Sequence, residues 1–185
     1  MSLVLELDPQ LTDPKSIAHQ EHWSATTPWP IVQQNLASDH ADRSACHEVL
    51  REECLRLLPK AYVDDYEDHP AFDYLIAQRD NPGGPDIYGW IVTVLEDGEA
   101  SVDLKELLLQ FLARLKHHDL DGFPKEVAYR YLDSPEMALR SAAIRCVEYW
   151  QDRSQVGRLQ QMREEHPDSL LAVLLDSVIV EFVQE

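Results

Sequence analysis

The sequence predicts an all-α protein whose helices pair into hairpins, or pack as an irregular helical bundle, behind an irregular N-terminal segment. Two observations support this prediction. From about residue 41 onward, the apolar residues recur with the spacing of buried helix faces. In the C-terminal half one apolar template occurs three times, with starts that are 35 and then 32 residues apart, which is typical of a repeated helix–turn–helix unit.

Residues 1–40 form the predicted N-terminal segment. Pro9, Pro14, Pro28 and Pro30 interrupt it, and proline both lacks a backbone donor and restricts the residue before it. We therefore expect irregular chain that packs on the helical body. Residues 41–185 are predicted to form a single α-helical domain, because a chain of this length can bury one sizeable core.

Three helices are predicted between residues 41 and 99. The first carries one apolar stripe that ends at Pro59, and the second starts after Pro70 and ends near Arg79. The stripe consists of Cys46, Val49, Leu50, Cys54, Leu57 and Leu58. Beyond a proline- and glycine-rich turn, residues 86–95 fit either a helix capped by Asp86 or a strand rich in β-forming residues. We predict a helix there, because its neighbours are helical.

The strongest periodicity lies in the C-terminal half. Residues 104–115, 139–150 and 171–182 place apolar side chains at i, i+3, i+4, i+7, i+8 and i+11, the pattern of one buried helix face. Shorter helical stretches, 125–132 and 155–165, precede the second and third of these segments, with proline-containing turns between. We therefore predict a series of helix–turn–helix units.

The unit around residue 140 resembles a HEAT repeat. The matching residues are a proline–acid turn, an apolar–arginine pair and two small residues on the buried face: Pro135, Glu136, Leu139, Arg140, Ala142 and Ala143. The following unit keeps Pro167, Asp168 and Leu171 but has Ala172 where the family has arginine. The resemblance covers about residues 100–185. It implies a HEAT-like right-handed solenoid with a protein-binding habit, and it implies no catalytic activity.

Acidic side chains dominate the charge of the chain. Its formal net charge is −18, from 16 Lys and Arg against 34 Asp and Glu, which argues against nucleic acid and against an anionic membrane as partner. Half of this excess falls in residues 64–99, where ten acids are opposed by Arg79 alone and aromatic residues are interspersed. Such a composition suits the binding of a basic protein. In the C-terminal half, Arg140 and Arg145 are expected to pair with acids of a neighbouring repeat.

The predicted function is to bind and block a basic protein partner by steric occlusion and electrostatic complementarity. The chain resembles bacterial toxin-immunity proteins in type, being compact, acidic and without catalytic motifs, so a toxin domain is the expected partner. The predicted partner-binding residues all lie in the 64–99 window: Asp64, Asp65, Tyr66, Glu67, Asp68, Asp86, Tyr88, Trp90, Glu96 and Asp97. Their carboxylates would speed association, and their aromatic rings would slow dissociation.

Other hypotheses remain open. One is a HEAT-like scaffold or adaptor that binds through the inner face of residues 100–185, with 64–99 as a solubilising loop. Another is a metal-dependent enzyme. Its candidate ligands are three histidines, His19, His22 and His40. A homodimer through the C-terminal helix is a further alternative, because Val180 and Val183 widen the apolar face of that helix.

The sequence contains few features that indicate an enzyme. Glycine-rich phosphate loops, GxSxG, CxxC and HExxH are all missing. A calcium loop with Gly122 at its tight turn fails, because Ala128 stands where the loop needs a glutamate. A helix end followed by a glycine-containing turn explains that stretch better. We therefore predict a protein that is not an enzyme and holds no cofactor or metal. The 3 cysteines in helical contexts predict reduced core thiols and a cytoplasmic location.

Overall fold

The computed structural model describes residues 40–60, 69–115, 117–120, 122–166 and 169–184. All of these residues belong to one compact unit that comprises residues 31–185, and every regular element in them is helical. The predicted all-α class is therefore confirmed. The predicted irregular segment 1–40 lies outside the described residues, apart from His40 at the start of the first helix.

Eight α-helices follow one another along the described part of the chain. They are α1 (His40–Leu57), α2 (Pro70–Arg79), α3 (Ile87–Glu96), α4 (Val102–Arg114), α5 (Glu126–Tyr129), α6 (Met137–Tyr149), α7 (Val156–Glu165) and α8 (Leu170–Gln184). Short 3₁₀ turns lie at Leu58–Lys60, His117–Leu120, Arg130–Asp133 and Arg153–Gln155. The predicted helices agree with these bounds, except that the stretch 125–132 is α-helical only over α5 and continues as a 3₁₀ turn.

Side-chain caps determine where α3 and α4 begin. The Asp86 carboxylate accepts a hydrogen bond from Gly89 N (3.0 Å), which confirms the predicted cap. A Cβ at position 89 would collide with that carboxylate, so glycine allows the cap to close. Ser101 Oγ accepts the corresponding bond from Leu104 N (3.3 Å) at the start of α4. Each cap satisfies one backbone donor that the first turn of a helix leaves open.

Burial explains why the β-forming run in α3 is helical. Ile87, Trp90, Ile91, Val94 and Leu95 are all buried, and their spacing places them on one face of a helix. A strand would have turned alternate residues of this run toward solvent. Packing against the core therefore overrides the local preference for a strand.

The long helices α4 and α6 form the most extensive helix–helix contact among the described elements. Cys146 Sγ donates to the carbonyl of Leu109 (3.2 Å), and Trp150 Nε1 donates to the carbonyl of Leu112 (2.9 Å). From the first bond to the second, the bonded position moves toward the C-terminus on both helices, from Leu109 to Leu112 and from Cys146 to Trp150. The helices α4 and α6 therefore run parallel.

The remaining helices from α3 onward extend the same arrangement. α3 packs on α4, α5 on α6 and α7 on α8, while α3 also contacts α5 and α6 also contacts α8. Gln151, just beyond α6, donates through Nε2 to Glu181 near the end of α8 (3.1 Å). The C-terminal ends of α6 and α8 therefore lie side by side. The described residues from 87 to 184 thus contain three successive helical hairpins, each in contact with the next.

Two surface ion pairs also join successive hairpins. Arg130, after α5, pairs with Glu96 at the end of α3 (3.0 Å). Arg158 on α7 pairs with Asp133 after α5. Both pairs involve exposed side chains, so each stabilises the fold by at most about 1 kcal/mol. The buried contacts between the helices therefore stabilise the packing of the hairpins more than these ion pairs do.

The contacts of the arginines of α6 differ from those that the sequence predicted. Arg145 pairs with Glu148 one turn along the same helix, so the prediction that it pairs with an acid of a neighbouring repeat is wrong. The spacing of three residues favours this local pair over a distant one. The Nε atom of Arg140 is buried and has no hydrogen-bond partner among the described residues.

An aromatic cluster packs where the chain passes from α4 to α6. The buried ring of Trp150 lies near Phe123 (6.4 Å between ring centroids) and Tyr129 (5.7 Å), and Lys125 Nζ lies 5.5 Å from its centroid. Gly122 has a φ of 84°, a conformation that favours glycine. The turn predicted at this residue is therefore confirmed, and it brings Phe123 back onto the core.

His69 is the buried cap of α2. Its Nδ1 accepts a hydrogen bond from Ala71 N (3.1 Å), and Pro70 occupies the first helical position, where no N–H is needed. Burial lowers the pKa of His69 and outweighs the opposing effect of a hydrogen bond with the backbone of Leu58. The folded chain therefore favours the neutral imidazole.

We expect acid to destabilise the fold through His69. Because its folded-state pKa is lowered, the unfolded chain binds the proton more readily, so the stability is present above about pH 6.5 and is lost as pH falls through the folded-state pKa. His69→Asn keeps a capping side chain that does not titrate. Its free energy of unfolding should therefore fall less than that of the wild type between about pH 7 and about pH 5.

Urea unfolding of both proteins across this pH range measures the difference. His69→Ala serves as the control for the cap itself and should lose about 1 kcal/mol at neutral pH. The same dependence of unfolding free energy on pH in the wild type and in His69→Asn would contradict the prediction.

Candidate protein-binding surface

Half of the predicted binding residues lie outside the described residues. These are the consecutive residues Asp64, Asp65, Tyr66, Glu67 and Asp68. In the chain they stand between the 3₁₀ turn Leu58–Lys60 and His69, the cap of α2. Their part in binding stays a prediction.

The three predicted residues at the start of α3 have different environments. Asp86 is exposed, and its cap to Gly89 leaves the carboxylate facing solvent. Tyr88 is partly buried, and its hydroxyl donates to the carbonyl of Asp119. Trp90 is only 1% exposed and forms part of the core. Trp90 is therefore not available to a partner, since the apolar stripe of α3 turns its ring inward.

Glu96 and Asp97 lie together at the C-terminal end of α3. An acid is unfavourable at this position because it meets the negative end of the helix dipole. Arg130 pairs with Glu96 (3.0 Å), and Arg51 of α1 pairs with Asp97 (3.6 Å). Asp97 Oδ1 also accepts a hydrogen bond from Glu99 N (2.9 Å). Two arginines from elsewhere in the fold thus partly neutralise this acidic end.

The other described acids of the 64–99 window divide into two kinds. Asp80 pairs with its neighbour Arg79 (2.8 Å), and this contact lowers the pKa of Asp80. Asp73 on α2 and Glu99 after α3 are exposed and form no ion pair with a described residue. Asp73, Glu99 and the capping Asp86 are therefore the described acids of the window that no cation of the described residues neutralises.

A shallow groove between α3 and the region of α5 is too small for a typical small-molecule site. Its volume is about 210 Å³, below the roughly 300 Å³ at which such sites begin. The lining residues are Leu95, Glu96, Val127, Arg130 and Tyr131. The Tyr131 hydroxyl donates to the carbonyl of Leu95, and Glu96 pairs with Arg130. The polar groups of the groove are therefore already engaged with one another.

The described residues likewise offer little reactive chemistry. Cys46, Cys54 and Cys146 are buried and free, as predicted. Burial raises the pKa of Cys54 to about 12 and also raises that of Cys146, so these two thiols are poor nucleophiles. Within the described ranges, no three metal-ligating side chains come together. His19 and His22 of the metal hypothesis lie outside those ranges.

The helix α8 has an exposed apolar face, of which the sequence predicted only part. Val180 and Val183, which were predicted to widen the apolar face, are exposed, and so are Leu170 and Val173. The sequence could have indicated this face, because all four residues fall outside the predicted buried stripe of the helix.

Among the described helices, none combines the length and the hydropathy that a membrane span requires.

Comparison of the chain with protein-family models, curated proteins and solved structures found no match.

Proposed function

We propose that this protein binds a basic protein partner and blocks it by covering its surface. The observation that supports this is the charge of residues 64–99, where ten acids stand against Arg79 alone. Arg79 already pairs with Asp80, so the fold supplies few cations for the remaining acids. A basic partner would supply the missing positive charge.

The ion pairs at Glu96 and Asp97 leave these acids usable by a partner. The side chains of both pairs, including Arg51 and Arg130, are about a third or more exposed, so each pair contributes at most about 1 kcal/mol. A lysine or arginine of the partner can therefore replace either arginine at little cost in free energy. Asp73, Asp86 and Glu99 need no such exchange.

The class of partner that we propose is a toxin domain, as in the bacterial toxin-immunity pairs that this chain resembles in type. Inhibition by occlusion needs no catalytic group, only a complementary surface. The proposal includes a cytoplasmic location, which the three free thiols favour. Tyr66 is the aromatic residue that we expect to slow dissociation, because Tyr88 is bonded internally and Trp90 lies in the core.

A quadruple variant, Asp64→Asn with Asp65→Asn, Glu67→Gln and Asp68→Asn, tests this proposal on the partner recovered from a cell lysate. We expect association at low salt to slow by about tenfold or more, because the long-range attraction between the two proteins is lost. The salt dependence of association should flatten for the same reason, while dissociation should change less. Surface plasmon resonance at several salt concentrations measures both rate constants.

A matched control removes the same charge from exposed positions of the C-terminal half. It carries Glu126→Gln, Glu136→Gln, Glu164→Gln and Glu165→Gln. This control should associate almost as fast as the wild type, and its small deficit reports the effect of net charge alone. Equal association rates for the two quadruple variants would contradict the proposal.

A HEAT-like scaffold or adaptor is the second candidate function. It is favoured by the contacts of α4 with α6 and of α6 with α8, since repeat proteins build their binding surfaces from successive packed units. For this function the partner would contact the long helices, and the 64–99 window would serve solubility. The scaffold would be favoured by two results together. Substitutions of exposed residues on the long helices would abolish partner binding, and the quadruple variant of the 64–99 window would bind the partner like the wild type.

A further inference from the structure

Each of the three long hairpin helices begins with an exposed apolar residue. Val102, Met137 and Leu170 are the first residues of α4, α6 and α8, and they are 37%, 48% and 80% exposed. α4 and α6 run parallel, and the C-terminal ends of α6 and α8 lie side by side. The three residues therefore lie at the same end of the packed helices and form an apolar row across them.

The apolar character continues along α8. Val173 is 70% exposed and Val180 about half exposed, and both lie on the side of α8 that carries Leu170. The exposed Asp176, which pairs with Arg163 (2.6 Å), and Ser177 separate Val180 from Val173, so the continuous apolar part of this side is Leu170 and Val173. The opposite side of the helix is buried through Leu171, Leu175, Val178 and Phe182. Single exposed apolar residues are ordinary, whereas a contiguous set of them marks an interaction surface.

The α4 edge of this surface is acidic. Asp103 is exposed beside Val102, and Glu106 lies one turn further along the same face. Glu106 is half-buried, and its Oε1 accepts a hydrogen bond from Gln110 (2.9 Å). Neither carboxylate forms an ion pair with a described residue. Burial and the neighbouring Asp103 raise the pKa of Glu106, so a cation placed there would relieve unfavourable charge.

We propose that this three-helix surface binds an amphipathic, basic helix of a protein partner. The surface consists of Val102, Asp103, Glu106, Met137, Leu170 and Val173. Apolar residues of the bound helix would cover α6 and α8, and its Lys or Arg residues would lie beside Asp103 and Glu106. Packed helix axes are about 9 Å apart, so the surface is roughly 20 Å across, the length of about 14 helical residues.

Charge complementarity favours a basic partner over a second copy of this chain. Two copies with a formal charge of −18 each repel one another, and an equally acidic surface supplies little positive charge to Asp103 and Glu106. The three-helix surface contains no residue of the 64–99 window. It therefore goes beyond the proposed function, and the two proposals can fail separately.

A synthetic helical peptide of about 14 residues, with leucines on one face and lysines on the other, is the probe for this surface. We expect it to bind the wild-type protein, and we expect Leu170→Ser with Val173→Ser to weaken binding by about tenfold or more. The control, Val49→Ser with Leu55→Ser, changes two exposed apolar residues of α1 and should bind like the wild type. Isothermal titration calorimetry measures the affinities, and circular dichroism confirms that each variant is folded.

The same assay tests the acidic edge. Asp103→Asn with Glu106→Gln should weaken binding by roughly threefold to tenfold, whereas Glu164→Gln with Glu165→Gln, the same charge change on α7, should have little effect. A peptide with glutamate in place of lysine should bind at least about tenfold more weakly.

Two results would overturn the proposal. One is equal affinity of the lysine peptide for the wild type and for Leu170→Ser with Val173→Ser. The other is a concentration-dependent dimer, seen by sedimentation, that the same double substitution abolishes, because the occupant of the surface would then be a second copy of this chain.

Discussion

Replacing Trp150 by alanine should lower the free energy of unfolding by about 3–5 kcal/mol, the usual effect of removing a large aromatic side chain from a core. The Trp150 ring is buried and contacts both Phe123 and Tyr129. Its indole N–H donates to the carbonyl of Leu112, so it also joins α6 to α4. Alanine would leave a cavity between α4 and α6 and would remove one of the two hydrogen bonds to the Leu112 carbonyl, which also accepts from Leu115 N (3.2 Å).

Trp150→Phe separates these two effects. It keeps an aromatic ring in the cluster but removes the hydrogen bond to Leu112, so we expect a smaller loss of about 1–2 kcal/mol. Urea unfolding followed by circular dichroism measures both variants. A loss below about 1 kcal/mol for Trp150→Ala would show that this ring is not part of a well-packed core.

Enlarging Ala143 to leucine should lower the free energy of unfolding by about 1–3 kcal/mol, because a packed interface cannot accept extra methylene groups without strain. Ala143 is fully buried and lies one turn before Cys146, whose Sγ reaches the backbone of α4 at Leu109 (3.2 Å). So close an approach of side chain to backbone requires small residues on this face of α6.

Ala138→Leu is the matched control for this prediction. Ala138 lies on the same helix at a partly exposed position, so the added methylene groups can extend into solvent and the free energy of unfolding should change by less than about 0.5 kcal/mol. Urea unfolding of both variants provides the comparison. A similar loss for the two would contradict the close packing of α6 on α4 at Ala143.

The helices of the C-terminal half could be predicted because each buries one continuous stripe. In α6 that stripe runs from Leu139 to Trp150, and its residues are buried as the spacing requires. The region of α5 was harder, since so short a helix depends on distant contacts. Tyr129 packs on Trp150, and Tyr131 donates to the carbonyl of Leu95, contacts that no local pattern contains. Beyond Tyr129 the chain tightens into a 3₁₀ turn, as helix ends often do.

The candidate binding site could be predicted only in part. We predicted Trp90 as a partner-binding residue from the acidic and aromatic composition of the 64–99 window. The spacing of the apolar residues in α3 instead places Trp90 on the stripe that faces the core, and the structure shows that it is buried. The cations that pair with Glu96 and Asp97 could not be predicted. Arg130 and Arg51 come from other helices, and only the folded chain brings them to the end of α3. The apolar row at Val102, Met137 and Leu170 depends in the same way on the parallel packing of three helices.

The proposed function is the binding of a basic protein through the acidic residues 64–99. Affinity capture from a lysate of the source organism tests it most directly, with the immobilised chain washed at low salt and then at about 0.5 M salt, where exposed charges are strongly screened. We expect one basic protein that is retained at low salt, is released by high salt, and binds the quadruple variant of residues 64–68 more slowly. Retention of several neutral or acidic proteins without regard to salt would contradict it.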